Sequence, residues 1–350
     1  MSEFITIFGK KIGEGFPSYI IAEVSANHNQ DIDIARQTVI AAAEAGVDAV
    51  KFQTYTPDTL TFNSTSEIFQ INHGTAWDGR TLHSIYSEGY MPWEWHAELF
   101  DLAKSLGMAA FSSPFDPSAV DYLADLDVPA FKIASFEIVD IPLIRYVAHQ
   151  GKPVLISTGI AREEDVVAAV TACREEGNNQ IVVLKCTSAY PAPASELNLL
   201  TIPTIKTQFN VIPGYSDHTM TSTAAIAAVA LGARVIERHI TLDREAGGLD
   251  AGFSTSASEF KNLVQQIRET ESALGISTFE LSESGTNSRR FSRSLFVVKD
   301  VGAGEAVTVE NVRSIRPSNG LHPQELPLVL GKIFNTNVDA GTPLSFEFLE

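Results

Sequence analysis

Two histidines carry the clearest chemical potential in the chain. His218 closes the run VIPGYSDH and His239 closes ARVIERH, so each follows a short apolar segment and opens a polar turn. Such segments read as strands. If they are neighbours in one parallel sheet, both imidazoles emerge on the same rim. Neutral ring nitrogens, with water and substrate oxygens, would then complete an open divalent site suited to Mn²⁺, Fe²⁺, Co²⁺ or Zn²⁺. The competing reading is two hydrogen-bonded histidines at strand ends.

A second group is cationic. Lys51 in AVKFQT and Lys132 in AFKIAS stand inside apolar runs, where an ammonium needs a partner because desolvating it is costly. With the hydroxyls of Ser113, Ser135, Ser157 and Ser216 they could cradle phosphate and carboxylate together. Alternatively, each lysine pairs with a carboxylate such as Glu23 or Glu137 for stability alone. Neither a GxxxxGK[ST] loop nor a strand-linked GxGxxG is present, so nucleotide binding has no support.

Residues so scattered need a scaffold that gathers them. From Tyr19 to about Leu274 one unit recurs: a short apolar run, a polar turn, then a longer amphipathic run. The candidate strands are YIIAEVS, AVKFQT, MAAFSS, AFKIAS, PVLIST, IVVLKCTS, VIPGYS and ARVIERH, with helix-like segments at 32–45, 95–106, 117–126, 141–149, 163–176, 222–231 and 258–274. Alternation of this kind builds a parallel sheet, and eight repeats predict a closed (β/α)₈ TIM barrel rather than an open doubly wound sheet. Chemistry in such barrels gathers at the carboxyl ends of the strands, and here every run ends in polar residues. The connection between AVKFQT and the helix near Trp95 is about forty residues, long enough for a lid or binding loop. Trp77, Trp93, Trp95, Tyr86 and Tyr90 fall in or beside it. Their rings suit sugar C–H faces, or simply pack the loop onto the barrel.

Composition narrows the partners. The chain has 350 residues, 44% hydrophobic and 19% charged, and a net charge of -18. That balance indicates a folded globular protein and disfavours nucleic acid and anionic membrane. No run approaches a membrane span and Met1 to Lys11 lacks a secretory pattern, so a cytoplasmic location is expected. Cys173 and Cys186 are too few for a disulfide scaffold and read as reduced structural thiols. After Leu274 the pattern changes: 277–294 is a polar linker, and Val301-Gly-Ala-Gly-Glu-Ala-Val-Thr is echoed by Val338-Asp-Ala-Gly-Thr-Pro-Leu-Ser. The expected division is a barrel over 1–280 and a linker with a small pseudo-symmetric module over 281–350. Arg316-Pro-Ser-Asn-Gly within the module is a stiff turn presenting one arginine.

Taken together these stretches resemble the sialic acid synthase family along almost the whole chain. The resemblance is carried by IAEVSANHN, VKFQTY, FSSPFD, FKIASFE, ISTG, KCTSAYPAP, GYSDHT, ERHIT and IRPSNGL. Within the family the chain is most similar to the pseudaminic acid synthases, through YTPDTLTFNS, GTAWDG, MPWEWH and SIRPSNGLHP. The resemblance implies a (β/α)₈ barrel followed by an antifreeze-like (SAF) domain, in a domain-swapped homodimer. It implies condensation of phosphoenolpyruvate with a 2,4-diacetamido-6-deoxy sugar, namely 2,4-diacetamido-2,4,6-trideoxy-altrose. The manno isomer leading to legionaminic acid is the close rival. Ser188 stands where sialate synthases proper tend to carry Asn, which counts against N-acetylmannosamine. By the same resemblance His218 and His239 would hold Mn²⁺, with Mg²⁺ or Co²⁺ as alternatives, and Glu23 would be an acid/base or orienting group. Lys51, Ser113, Lys132, Ser135, Ser157, Ser188 and Ser216 would bind phosphate and carboxylate. Gln53, Phe115, Glu137, Tyr190 and Asp250 would line the sugar pocket, and Arg316 would reach the acceptor from the other subunit. Two rival classes remain: a Schiff-base aldolase using Lys132 or Lys185, and a non-catalytic glycan-binding protein.

Overall fold

The apolar runs form eight parallel strands: β1 Tyr19–Glu23, β2 Ala49–Thr54, β3 Ala109–Pro114, β4 Phe131–Ile133, β5 Val154–Ser157, β6 Ile181–Cys186, β7 Ile212–Asp217 and β8 Val235–Thr241. Each pairs with the next, and β8 pairs with both β7 and β1, Glu237 opposite Ser216 and His239 opposite Glu23, so the sheet closes on itself. The computed structural model describes residues 4–72, 74, 77–245 and 247–350. Met1, Ser2, Glu3, His73, Ala246, and Thr75 and Ala76 of the GTAWDG stretch lie outside the described residues.

A helix follows every strand: α1 Ile32–Ala45, α2 His96–Ser105, α3 Pro117–Asp125, α4 Ile141–His149, α5 Glu163–Glu175, α6 Thr201–Phe209, α7 Thr223–Ala230 and α8 Ala257–Leu274. Their starts carry local signals. The Asp31 carboxylate accepts from Asp33 N at α1, Asp116 accepts from Ser118 N and Ala119 N at α3, and Ser256 with Glu259 forms a capping box at α8. Each satisfies amide groups that a helix end leaves without partners. Helix α6, absent from the sequence reading, hides its period behind Pro203 and three threonines. Proline is tolerated there because it lies in the first turn. Also unforeseen was an antiparallel hairpin, Phe4–Ile7 with Lys10–Gly13, whose Ile5, Ile7 and Ile12 are buried in one core with Tyr19, Ala49 and Ala109 at the amino ends of the strands.

The long β2–α2 connection is not bare loop. It holds short helices at Pro57–Leu60 and Leu82–Gly89 and a helical turn at Trp93–Trp95. Trp93 stacks at 4.9 Å on Tyr122 and donates to Tyr55 O over 3.1 Å. Trp95 meets His28 edge-on at 5.6 Å. Both rings therefore fasten the connection to the barrel. Among the described residues no helix is long and apolar enough to cross a membrane.

Contacts divide the chain after Gly275, and Ile276–Glu350 forms a separate unit. The expected linker holds a short helix, Glu283–Arg289. Strands Ser294–Val297 and Val312–Ile315 pair antiparallel over a core of Leu295, Val297, Val307, Val329, Phe334 and Leu344. The two echoed motifs face each other directly: Val301 N donates to Val338 O over 3.0 Å and Val338 N returns to Val301 O over 2.9 Å. Arg316 opens the turn after the second strand. Gly320 ends that turn, where a Cβ would come within 2.0 Å of Leu295 O.

Candidate active site

Side chains alternate along a strand, so residues two apart at a strand's carboxyl end share one face. Glu237 and His239 on β8, Lys51 and Gln53 on β2, and Ser216 with His218 after it on β7 converge in this way with Glu23 and Lys132. The Lys51 ammonium lies 2.6 Å from Glu23 Oε2 and 3.6 Å from Glu237 Oε1. Lys132 Nζ lies 3.1 Å from that same Glu237 oxygen. Ser216 Oγ donates to it over 3.4 Å, and Lys51 donates to Ser113 Oγ over 3.4 Å. Gln53 Nε2 bonds Glu23 Oε1 at 3.0 Å and Ser25 Oγ at 2.9 Å, and the Ser25 hydroxyl donates to Asp250. One buried chain of charges thus crosses the mouth. The lysines pair with Glu23 and Glu237, not with Glu137.

Burial and neighbours act differently on each member. Burial pushes the Lys51 ammonium down, but Glu23 and Glu237 together outweigh it and hold its pKa above the ordinary value. For Lys132 burial wins: Glu237 counteracts it, Lys51 adds to it, and the pKa falls below the usual lysine range. Burial raises the Glu23 carboxyl despite Lys51. It opposes ionisation of Glu237 too, yet Lys132 and Lys51 prevail there and keep that carboxyl low. Glu137, after β4, is pushed up to about 7, chiefly by burial.

The opposite side is built from imidazoles and aromatic rings. The His218 and His239 rings lie 5.4 Å apart, with Phe253 at 5.1 Å from His239 and Tyr190 at 4.4 Å from His218. His218 Nδ1 faces Thr187 O at 3.0 Å. Because a carbonyl only accepts, that nitrogen carries a proton, which leaves Nε2 as the position this ring could offer a metal. Burial, then His218, Lys51 and Lys132, hold His239 well below the usual imidazole range, and its buried Nδ1 has no hydrogen-bond partner. Among the described residues no group of three or more His, Cys, Asp or Glu could hold a metal. Burial opposes ionisation of His218, but Cys186, the Thr187 carbonyl and Glu237 outweigh it and hold its pKa above the ordinary imidazole value; the two rings together fit an open divalent site, most of whose ligands are water or substrate, and not a closed structural one.

The remaining expected residues border the same mouth. Ser135 Oγ accepts from Gly159 N over 3.1 Å and contacts Cys186 Sγ at 3.6 Å. Ser188 lies against Gly159, where an added Cβ would come within 2.0 Å of the serine oxygen. Phe115 meets Tyr55 at 5.3 Å. Among the described residues, buried oxygens of Ser157, Glu137 and Glu237 have no hydrogen-bond partner, a pattern that buried polar groups avoid unless a ligand completes them. Lys185 instead bonds Cys186 O at 2.8 Å and lines a groove with Thr158, Arg162 and Leu199. Arg316 belongs to the separate C-terminal unit.

The sequence reading left Glu237, Phe253 and Arg238 off the list of site residues. Period-two alternation could have found Glu237, which shares a face with His239. Arg238, on the other face, pairs with Asp217 at 2.8 Å and bonds Thr221 O at 2.8 Å, tying together the segments that carry the two histidines. Phe253 had no local signal, being brought in by the turn after Asp250.

Comparison with known proteins matches this geometry to a family. Residues 38–278 fit the model of the NeuB family and residues 292–350 that of the SAF domain. The chain is 44% identical over 326 residues to the pseudaminic acid synthase of Campylobacter jejuni, covering 93% of this chain and 95% of that protein. It is 36% identical over 346 residues to the N,N'-diacetyllegionaminic acid synthase of Legionella pneumophila, covering 97% of each. The solved structure of the spore coat polysaccharide biosynthesis protein SpsE from Bacillus subtilis aligns at a TM-score of 0.68 and 33% identity, covering 99% of each chain.

Proposed function

The chain belongs to the NeuB family, and from that premise we propose that it condenses phosphoenolpyruvate with 2,4-diacetamido-2,4,6-trideoxy-altrose, giving pseudaminic acid and phosphate. The observation that carries this is the divided mouth: two buried lysines on one side, two imidazoles 5.4 Å apart on the other. Such a site takes an anion and a carbonyl oxygen at once.

Lys51 and Lys132, with Ser113, Ser135, Ser157, Ser188 and Ser216, bind the phosphate and carboxylate of phosphoenolpyruvate and fix carbon 3 toward the acceptor. His218 and His239 would hold a divalent ion, Mn²⁺ before Mg²⁺ or Co²⁺, which would supply Lewis acidity for the acceptor's carbonyl. Carbon 3 forms the new bond to the aldehyde carbon of the open-chain sugar, water adds at carbon 2, and the C–O bond to phosphate breaks. The ammoniums and hydroxyls stabilise the charge on the departing phosphate. Glu23, held by Lys51 and Gln53, orients the reacting groups or moves a proton. Gln53, Phe115, Glu137, Tyr190 and Asp250 line the sugar side, and Phe253 packs against the His239 ring and holds its plane. Arg316, from the C-terminal unit of a partner subunit in a domain-swapped homodimer, contacts an acetamido group. Because phosphoenolpyruvate is a cytoplasmic metabolite, the enzyme works in the cytoplasm.

The test is a panel of acceptors with phosphoenolpyruvate and Mn²⁺, reading phosphate release and product mass together. The expected result is turnover of the altro diacetamido sugar well above that of its manno isomer and of N-acetylmannosamine. Preference for either of the latter overturns the assignment of the acceptor.

A further inference from the structure

Resting on the lysine cradle as the phosphoenolpyruvate site, we propose that Glu237 is a positioning residue that spans Lys51 and Lys132 and keeps the Lys132 side chain an ammonium ready for the substrate anion. Its Oε1 is shared by three donors, at 3.1 Å from Lys132 Nζ, 3.6 Å from Lys51 Nζ and 3.4 Å from Ser216 Oγ. The other oxygen, Oε2, is buried without a hydrogen-bond partner.

The two lysines depend on it unequally. Lys51 has a second carboxylate, Glu23, at 2.6 Å. Among the described residues, Lys132 has Glu237 alone within ion-pair distance. The other charged or titratable groups acting on Lys132 are Lys51, Cys186, Glu23, Glu137 and His239. Burial already draws Lys132 toward the neutral amine and Glu237 is the largest opposing influence, so loss of that carboxylate, the ion partner at 3.1 Å, moves Lys132 further toward the neutral amine. A neutral amine cannot bind phosphate as a cation, and substrate would have to bring a proton with it.

The experiment is calorimetry of phosphoenolpyruvate binding to the full-length, Mn²⁺-supplied protein at about pH 8, in two buffers of different ionisation heat. The wild type is expected to bind with little proton uptake, whereas Glu237→Gln takes up about one proton and loses up to about tenfold in affinity per pH unit. Glu237→Asp, which keeps the charge, returns uptake toward the wild-type value. Lys132→Met/Glu237→Gln removes both halves of the pair, so it is expected to unfold at higher denaturant than Glu237→Gln alone. Wild-type-like uptake in Glu237→Gln, or a double variant no more stable than the single, overturns the proposal. A wild type that fails to bind phosphoenolpyruvate refutes the cradle itself, a separate failure.

Discussion

The two halves of the barrel mouth solve opposite electrostatic problems with the same tool, burial. On the lysine half, burial would strip charge from Lys51 and Lys132; Glu23 at 2.6 Å, together with Glu237, overcomes it for Lys51, whereas Glu237 at 3.1 Å only opposes it for Lys132, whose pKa still falls. On the imidazole half, burial and the nearby lysines push His239 toward the neutral form, and no carboxylate stands within hydrogen-bond distance of its Nδ1 to reverse this: Asp250 lies at 3.8 Å. A low-dielectric pocket thus holds fixed cations for an anionic substrate beside uncommitted lone pairs for a metal. What separates the halves is the distance to the nearest carboxylate.

The largest effect is expected on the imidazole half. His218→Ala or His239→Ala should bring divalent-dependent turnover to background with the fold intact by circular dichroism. Wild-type turnover with wild-type metal content would remove these residues from the metal site.

Next comes Lys51→Met, which leaves Glu23 buried without its ion partner. Breaking one side of a buried pair costs about 3–5 kcal/mol, so denaturant unfolding should show a loss of that order together with loss of phosphoenolpyruvate binding. A loss below about 1 kcal/mol would mean the pair is solvated.

Glu137 gives a smaller, pH-dependent effect. Its carboxyl, raised to about 7 by burial, binds its proton more tightly folded than unfolded, so stability falls as pH rises from about 4.5 through 7. Glu137→Gln should remove a pH dependence on the order of 3 kcal/mol; matching stability–pH curves for variant and wild type would contradict it.

Ser157→Ala is expected to be the mildest in stability. The hydroxyl has no partner, so unfolding should shift by under about 0.5 kcal/mol, while KM for phosphoenolpyruvate rises several-fold. An unchanged KM would place this oxygen outside the substrate's reach.

Much of this arrangement was legible in the sequence, for identifiable reasons. All eight strands were marked by short apolar runs ending in polar residues, because a parallel barrel buries both faces of each strand and frees only the ends. Lys51 and Lys132 stood out because lysine is rare within such runs. The partners were harder: Glu237 and Glu137 are both carboxylates at strand ends, and only closure of β8 onto β1 and β7 brings the former between the lysines. The hairpin at 4–13 and helix α6 were missed because a four-residue strand is shorter than a secure alternation and Pro203 masks the helical period. Phe253 depends on a turn whose path no local pattern fixes.

The division of the mouth is tested most directly by measuring two bindings on one set of variants, Mn²⁺ by electron paramagnetic resonance and phosphoenolpyruvate by calorimetry in the absence of metal. His218→Ala and His239→Ala should lose Mn²⁺ and keep phosphoenolpyruvate, whereas Lys51→Met and Lys132→Met should lose phosphoenolpyruvate and keep Mn²⁺. If every variant lost both, or if the lysine variants lost the metal while the histidine variants retained it, the two halves would not have the separate roles described for them.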